Sequence, residues 1–464
     1  MSHDPKYTST SLEPSSGQKF SDFPAAQIQR MADERSKWVE ATEGYELDAK
    51  QLHVDDDTQV KTADDDHNVL IPQPSEDPND PLNWSSRKKN TVLAVVSFLA
   101  SLPDFGSSLG AVTLIPQSLI LNGFFAICAQ AGGLMWIKDM FFFHEHPRKI
   151  NWWSGAIILS PYLGPFTAAF VIWRLNWTWC YWIYSILNAI GLVLIPLLDE
   201  TYYDRNLPAN EQPAWKSRVW RLLGVERHPQ GTFLRSISRP AIAITKVPVL
   251  LVVVYYFVNF AWIIGVNATI STWLTTFYGF NSKNLGFFYF FGITGSILGE
   301  ASGHWIHDLV GSFYAKRHQG HIDAEARLII CHLAGIFMAV GILVLGFALQ
   351  YRWHWAYAAV FGGMQVVGIM IATTAINAYL LDSYPEGSGE VGAWIVVGRT
   401  WGGFMATYVE INWVLSAGPA KALGIQAAIT VAAMLIPAFL QMYGKEIRQR
   451  QGPMRFLEVR RSVS

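Results

Sequence analysis

Asp104 stands in the run Leu102-Pro103-Asp104-Phe105-Gly106, midway along an apolar stretch at about 91 to 116, where proline and glycine loosen the backbone around a carboxylate. A charge at the centre of a lone helix costs at least about 2.5 to 3.5 kcal/mol on insertion scales, so such a residue faces a cavity or a partner. Burial disfavours the charged form, which suits a proton-coupling or cation-binding group. The plainer reading makes Asp104 a helix-break residue bonded to freed backbone N–H groups. Arg399 and Glu410 lie eleven residues apart on another apolar stretch, almost three turns, and so share a helix face. At ~16 Å they are too far apart to pair. Arg399 therefore either anchors an acid on another helix or contacts a bound solute, and Glu410, near the outer end, is expected to face solvent.

Glu300, His304, His307 and Asp308 cluster at the inner end of a third stretch. His304 has the chemistry of a proton relay at physiological pH, but a hinge-locking ion-pair network is the favoured reading. Asn259, Asn267, Gln365 and Asn377 are neutral hydrogen-bonding residues inside apolar runs, suited either to line a cavity or to bond between helices. Other chemistries find little support. The chain has no G-x-x-x-x-G-K-[ST] loop for ATP, His144-Glu145-His146 lacks the spacing that puts two imidazoles on one helix face, and no G-x-S-x-G is present. His304 to Asp308 is one residue short of an H-x-x-x-x-D acyl-transfer pair, so a membrane enzyme is disfavoured. Cys128, Cys180 and Cys331 are widely separated and form neither a disulfide framework nor a metal site. No cofactor is implied.

The elements that must carry these residues are membrane helices. Of the 464 residues 51% are apolar and only 15% charged, against about 25% charged in soluble domains. Apolar segments run at about 91 to 116, 119 to 137, 151 to 173, 178 to 198, 247 to 275, 284 to 306, 328 to 350, 354 to 380, 391 to 415 and 423 to 443. Each is near the ~20 residues that a bilayer-spanning helix needs. That makes ten spans in groups of four and six. Residues 1 to 80 hold 18 acids and 7 bases, and the segment 1 to 76, with the triplets Asp55-Asp56-Asp57 and Asp64-Asp65-Asp66, cannot bury enough apolar area to offset its ordering entropy. The first 30 residues lack a basic and apolar leader, so the first span is expected to act as signal anchor.

Charge sets the orientation. Arg87, Lys88 and Lys89, then Lys138, Arg148 and Lys149, then eight basic residues in 201 to 246, then Lys316, Arg317 and Arg327, and finally Lys445, Arg448 and Arg450 mark every second connection as basic. The alternate loops hold only Arg174, Lys283, Arg352 and Lys421. Both termini are therefore expected in the cytosol. The domain reading is 1–88 disordered acidic cytosolic tail, 89–200 first transmembrane half, incomplete, 201–246 basic cytosolic linker, 247–444 second half and 445–464 cytosolic tail. A basic body interrupted by apolar spans suits cytosolic loops and a lipid bilayer rather than a nucleic-acid partner. Only Leu114-Ile115-Pro116-Gln117-Ser118 joins the first two spans, which marks 117 to 120 as a seam. Gly295, Gly299 and Gly303, and Gly398 and Gly402, recur every four residues and read as ridges for close helix packing.

The run Asp77-Pro78-Asn79-Asp80-Pro81-Leu82-Asn83-Trp84-Ser85 before a basic cluster resembles the start of the membrane core in fungal major facilitator superfamily transporters. Further matches follow in order: Leu121-Asn122-Gly123-Phe124-Phe125, Ile137-Lys138-Asp139-Met140-Phe141-Phe142 with Arg148-Lys149, Ser160-Pro161-Tyr162-Leu163-Gly164-Pro165 and Asp199-Glu200-Thr201. The second half adds Gly303-His304 through Asp308 with Lys316-Arg317, Glu325-Ala326-Arg327-Leu328, and Asp382-Ser383-Tyr384-Pro385. The nearest likeness is to the drug:proton antiporter branch, including members that handle polyamines and other organic cations. That resemblance implies an all-α, two-repeat bundle of twelve helices, here reduced to about ten (4 + 6) because the second and third helices of the first half have no counterpart. With them goes the loop that joins those helices on the cytosolic side.

What the resemblance implies is a proton-coupled secondary transporter of a small organic solute, working by alternating access, a monomer, in the plasma membrane rather than the vacuole. Asp104 is then the proton or cation coupling residue, and Asn259, Asn377, Arg399 and Glu300 are cavity residues. An excess of acids over bases within the spans mildly favours a cationic solute. Asp139, Arg148, Asp308, Glu325 and Arg327 are carried over as conformational-lock residues. The alternative is a non-transporting sensor or an inactive truncated transporter, and the seam is its main support.

Overall fold

In the computed structural model the described residues are 74–75, 77–113, 128–142, 145–199, 201, 203, 233–317, 323–452 and 454. Regular structure among them is entirely helical. The first group comprises α1 (Ser86–Thr113), α2 (Cys128–Met140), α3 (His146–Arg174) and α4 (Thr178–Leu194), and α5 (Phe233–Ile244) lies in the basic linker. The second comprises α6 (Val247–Tyr278), α7 (Ser282–Phe288), α8 (Phe290–Arg317), α9 (Ile330–Gln350), α10 (Trp355–Ser383), α11 (Ser388–Ala417), α12 (Pro419–Ala433) and α13 (Leu435–Gln451). Among the described residues seven stretches are long and apolar enough to cross a bilayer: α1, α3, α4, α6, α9 with its preceding turn, α10, and α12 with α13. α8 and α11, at 28 and 30 residues, have the length, but charged and polar side chains dilute their hydropathy. The seam at 117 to 120 lies outside the described residues, and so does the first part of the expected 119 to 137 span.

Local sequence explains where these helices begin, bend and stop. The Asp77–Ser85 motif, expected to fall at the end of a disordered tail running to 88, is ordered. The Asp80 carboxylate is buried and accepts from the Ser75 and Leu82 backbone amides at 3.1 and 3.0 Å, while Asn83 Nδ2 donates to the carbonyls of Ser75 and Asp77. Lys89 Nζ donates to Leu82 O, so this knot is tied to the first turn of α1, and a Lys88–Asp199 pair at 2.7 Å ties it to the end of the first group. α6 carries no Asp, Glu, Lys, Arg or His in 32 residues and ends at Gly279, whose φ of 66° is the left-handed conformation that stops a helix. In α3, Pro161 and Pro165 each lack the N–H that would bond four residues back. The freed Ile157 carbonyl is met by Ser160 Oγ at 2.8 Å, and the freed Pro161 carbonyl by Asn267 Nδ2 from α6 at 3.0 Å. Neighbouring side chains thus satisfy the broken ladder inside an apolar bundle.

The groups join along α3, which packs against α7, α8 and α10, while α2 packs against α11. One end of this seam is aromatic, with Phe166 edge-on to Phe290 at 5.0 Å and Phe170 edge-on to Phe287 at 5.3 Å. The other is polar: Asn151 Nδ2 donates to the Glu300 carbonyl at 2.9 Å and Asn151 Oδ1 accepts from Thr374 Oγ1 at 2.7 Å. Gly295 and Gly299 of the α8 ridge lie on α10, while Gly303 faces Asn151 of α3. A Cβ at Gly295 would stand 2.7 Å from the Gly363 carbonyl oxygen, closer than side chains approach.

Two boundaries differ from expectation. The 284 to 306 span begins as α7 and resumes after Tyr289 as α8. The last span runs on through α13 to Gln451, so the tail boundary at 444 falls within a helix, held there because Arg448 is buried rather than in a cytosolic loop.

Candidate functional site

Asp104 on α1, Gln130 on α2 and Arg399 on α11 converge between the two groups. Arg399 Nη1 donates to Asp104 Oδ2 at 2.8 Å, and Arg399 Nη2 donates to Gln130 Oε1 at 2.6 Å. Gln130 turns its amide nitrogen back to α1, donating to the Ala100 carbonyl at 2.8 Å and to Asp104 Oδ2 at 3.1 Å. The amide therefore holds both ends of the ion pair in register. The Arg399 side chain is 7% exposed and the Asp104 side chain 24%, so the cation is nearly dry and the acid keeps a path to solvent. The Phe260 ring of α6 lies 5.7 Å from the guanidinium carbon and gives the cation a further partner. Asp104 and Arg399, read separately from sequence, are thus one unit. Gln130 was overlooked, although it is the lone strongly polar residue between Cys128 and Lys138.

Beside this unit is a cavity of about 20 Å³ whose wall includes Trp153, Ser154, Tyr256, Thr373, Asn377 and Arg399. A water needs about 10–15 Å³ on the same measure, so the space holds little more than one. Small-molecule sites run to ~300–1,000 Å³, so this cavity is too small for an organic molecule. The Tyr256 and Thr373 hydroxyls bond across the wall at 3.0 Å, and Asn377 Nδ2 donates to the Thr373 carbonyl. Of the four residues expected at a cavity, Asn377 and Arg399 line this one, while Asn259 and Glu300 do not. Asn259 donates to the Tyr255 carbonyl on its own helix, and the Glu300 carboxylate lies against Gly155 on α3.

The residues carried over as a conformational lock separate into distinct places. Glu325 and Arg327 sit on the 3-10 turn Ala324–Ile329. Glu325 takes a bidentate pair from Arg448, with Nη2 at 2.7 Å from both oxygens, and Arg327 Nε donates to Asp382 Oδ2 at 2.7 Å. Lys445 reaches Asp323 at 3.3 Å, and the Tyr314 hydroxyl donates to the same carboxylate at 2.8 Å. Burial first, and the Asp323 carboxylate second, push the Tyr314 phenol up, so it stays a donor. Asp139 is half-buried at the end of α2 and Arg148 exposed at the start of α3. The side chains of His304 and Asp308 lie outside the described residues.

One expectation is overturned. Glu410 does not face solvent: it is fully buried, with both carboxylate oxygens accepting from Gln426 Nε2 of α12 at 3.0 and 2.8 Å. α11 packs between α6 and α12 here, and Gly265 of α6 leaves the space that the carboxylate fills.

The sequence profile of the Major Facilitator Superfamily matches residues 87–407, which takes in α1 through most of α11. The chain belongs to that superfamily. Among curated facilitators it is 24% identical over 323 residues to the efflux pump radE of Floropilus chiversii, a match covering 67% of this chain and 59% of that one. It is 27% identical over 274 residues to an uncharacterized transporter of Schizosaccharomyces pombe, covering 57% and 55%. A second, uncharacterized MFS-type transporter of that yeast aligns at 22% identity over 497 residues, covering 78% of this chain and 86% of the relative. Against the first two, this facilitator spans between half and three fifths of the relative's length.

Proposed function

We propose that this facilitator is a proton-coupled secondary transporter of a small organic solute, cationic or drug-like, of the drug:proton antiporter kind, working by alternating access as a monomer in the plasma membrane with both termini cytosolic. The observation that carries the reading is the Asp104–Gln130–Arg399 unit, which ties the two helical groups together at the wall of the small cavity. A proton placed on Asp104 removes the charge that holds Arg399 and loosens this tie. A solute cation that competes for the same carboxylate does so too, so proton and solute exclude one another at one acid. Asn377 and Thr373 supply neutral hydrogen bonds to the solute, and the Glu325–Arg448 and Arg327–Asp382 pairs anchor the end of α10.

A second reading has its own support. The alignment with the second yeast relative runs over 497 positions, more than the 464 residues of this chain, so that relative carries residues with no counterpart here. A loss of the second and third helices near 117 to 120 would contribute to that difference. On this reading the chain is an inactive or sensing form that binds without moving solute.

Both are tested by reconstituting the purified protein in liposomes with a pH-sensitive dye trapped inside and adding candidate organic cations, polyamines included. Transport predicts a lumenal pH change on adding solute that Asp104→Asn abolishes. Binding without flux supports the sensing form, and appearance of a new product would favour an enzyme. Sequencing the native transcript across codons 117 to 120 complements it: an insertion of about 60 to 70 residues, two spans of ~20 plus loops, restores a twelve-helix chain.

A further inference from the structure

Glu410 is a carboxylate at 0% exposure on a helix that crosses the apolar bundle, and no cation lies within ion-pair distance of it among the described residues. α6, packed against it at Gly265, supplies no Asp, Glu, Lys, Arg or His, and its tyrosines, Tyr255, Tyr256 and Tyr278, lie nine or more residues from Gly265. α12 supplies only Lys421, which is exposed. α10 offers Tyr357, Tyr379 and Asp382, the last already paired with Arg327. Among described side chains α2 and α5 bring Lys138, Asp139 and Arg239, and the turn Pro385–Gly387 brings Glu386; Lys138 donates to the Pro385 carbonyl, Arg239 pairs with Glu390 and Glu386 accepts from the Met454 amide, all at the end of α11 away from Glu410. On α11 itself Arg399 is ~16 Å away and bound to Asp104. Tyr408, two residues from Glu410, is exposed.

The hydrogen-bond accounting at the pair is lopsided. Gln426 is fully buried, and its Nε2 serves both oxygens of Glu410, while Gln426 Oε1 has no donor. An ionised carboxylate accepts only, so it cannot supply that donor, and a buried acceptor left unmatched is costly. A neutral carboxyl resolves both defects. Once the Gln426 amide turns from its present position, in which Nε2 faces both oxygens, the O–H donates to Gln426 Oε1 and the other oxygen accepts from Nε2, and no uncompensated charge remains in the bundle.

We infer that Glu410 carries a proton and is held by Gln426, and that the α11–α12 contact is a proton-binding site separate from the Asp104–Arg399 pair. The proton leaves when α12 parts from α11 and water reaches the carboxyl. Its role in coupling rests on the proposed transport function, and its presence does not.

The test is the infrared spectrum of the full chain in lipid nanodiscs at pH 7. The wild type shows a protonated-carboxyl C=O band that Glu410→Gln removes and Asp104→Asn keeps. Gln426→Leu retains the band but moves it to higher frequency, because the carboxyl loses its hydrogen bonds, and this variant also decides the matter if Glu410→Gln does not fold. Identical spectra for the wild type and both Glu410→Gln and Gln426→Leu would overturn the proposal. Failure of the transport reading alone looks different: the Glu410 band stays in place while the liposomes show no solute-driven pH change.

Discussion

Replacing Asp104 by Asn leaves the guanidinium of Arg399, 7% exposed, with one hydrogen bond to Gln130 Oε1 and the Phe260 ring 5.7 Å away. Removing one partner of a buried ion pair costs about 3–5 kcal/mol, because the other charge is stranded. Asp104 is partly exposed, so water reaches the gap and the low end applies, about 3 kcal/mol. That is roughly a 100-fold loss in the folded-to-unfolded ratio at ~1.4 kcal/mol per tenfold. Arg399→Gln strands the wetter partner, and the expected loss is smaller, about 1–2 kcal/mol. In the double variant neither charge is left alone, so it should be about as stable as Arg399→Gln by itself. The assay is a four-member cycle of reversible unfolding in mixed micelles, with tryptophan emission as readout, and the expected coupling is about 3 kcal/mol. If the double variant instead loses the sum of the two single losses, the pair does not act as a unit and the reasoning fails.

Arg448→Met should destabilise by about 3–5 kcal/mol because it strands Glu325, and adding Glu325→Leu should recover most of that loss in the same unfolding assay. Gly295→Leu should cost about 1–3 kcal/mol or more by forcing α8 off α10 at the Gly363 carbonyl, seen as a lower melting temperature of the detergent-solubilised protein. Asn267→Leu removes the donor that meets the Pro161 carbonyl freed by Pro165, and a loss of about 1–3 kcal/mol is expected, whereas Asn267→Gln should retain part of the bond.

Helix existence was legible in the sequence because it depends on local quantities. Runs of about 20 apolar residues can satisfy their backbone in lipid only as helices, so α1, α3, α4, α6, α9 and α10 follow from composition along the chain. The same cost argument singled out Asp104 and Arg399, since a charge inside such a run needs a reason. The family resemblance was legible too, in the Asp77–Ser85 motif, although only the structure shows what it does: Asp80 caps the turn before α1. Where helices end was less readable. Arg448 looks like a cytosolic flanking charge until α13 is seen laying it against Glu325.

Partners across helices were decided by tertiary structure alone, because helical periodicity gives the face on which a side chain points and not the helix that meets it. Asp104 and Arg399 are 295 positions apart in the chain, and no spacing rule joins them. Gln130 became part of their unit only when α2 was placed between α1 and α11. Glu410 was misjudged for the same reason: distance along α11 put it near an end of the span, but burial depends on what covers that end, and α6 at Gly265 and α12 at Gln426 cover it completely. Sequence supplied the charges and the helices, and packing chose which charges would be neutralised, by whom, and which would be left to hold a proton.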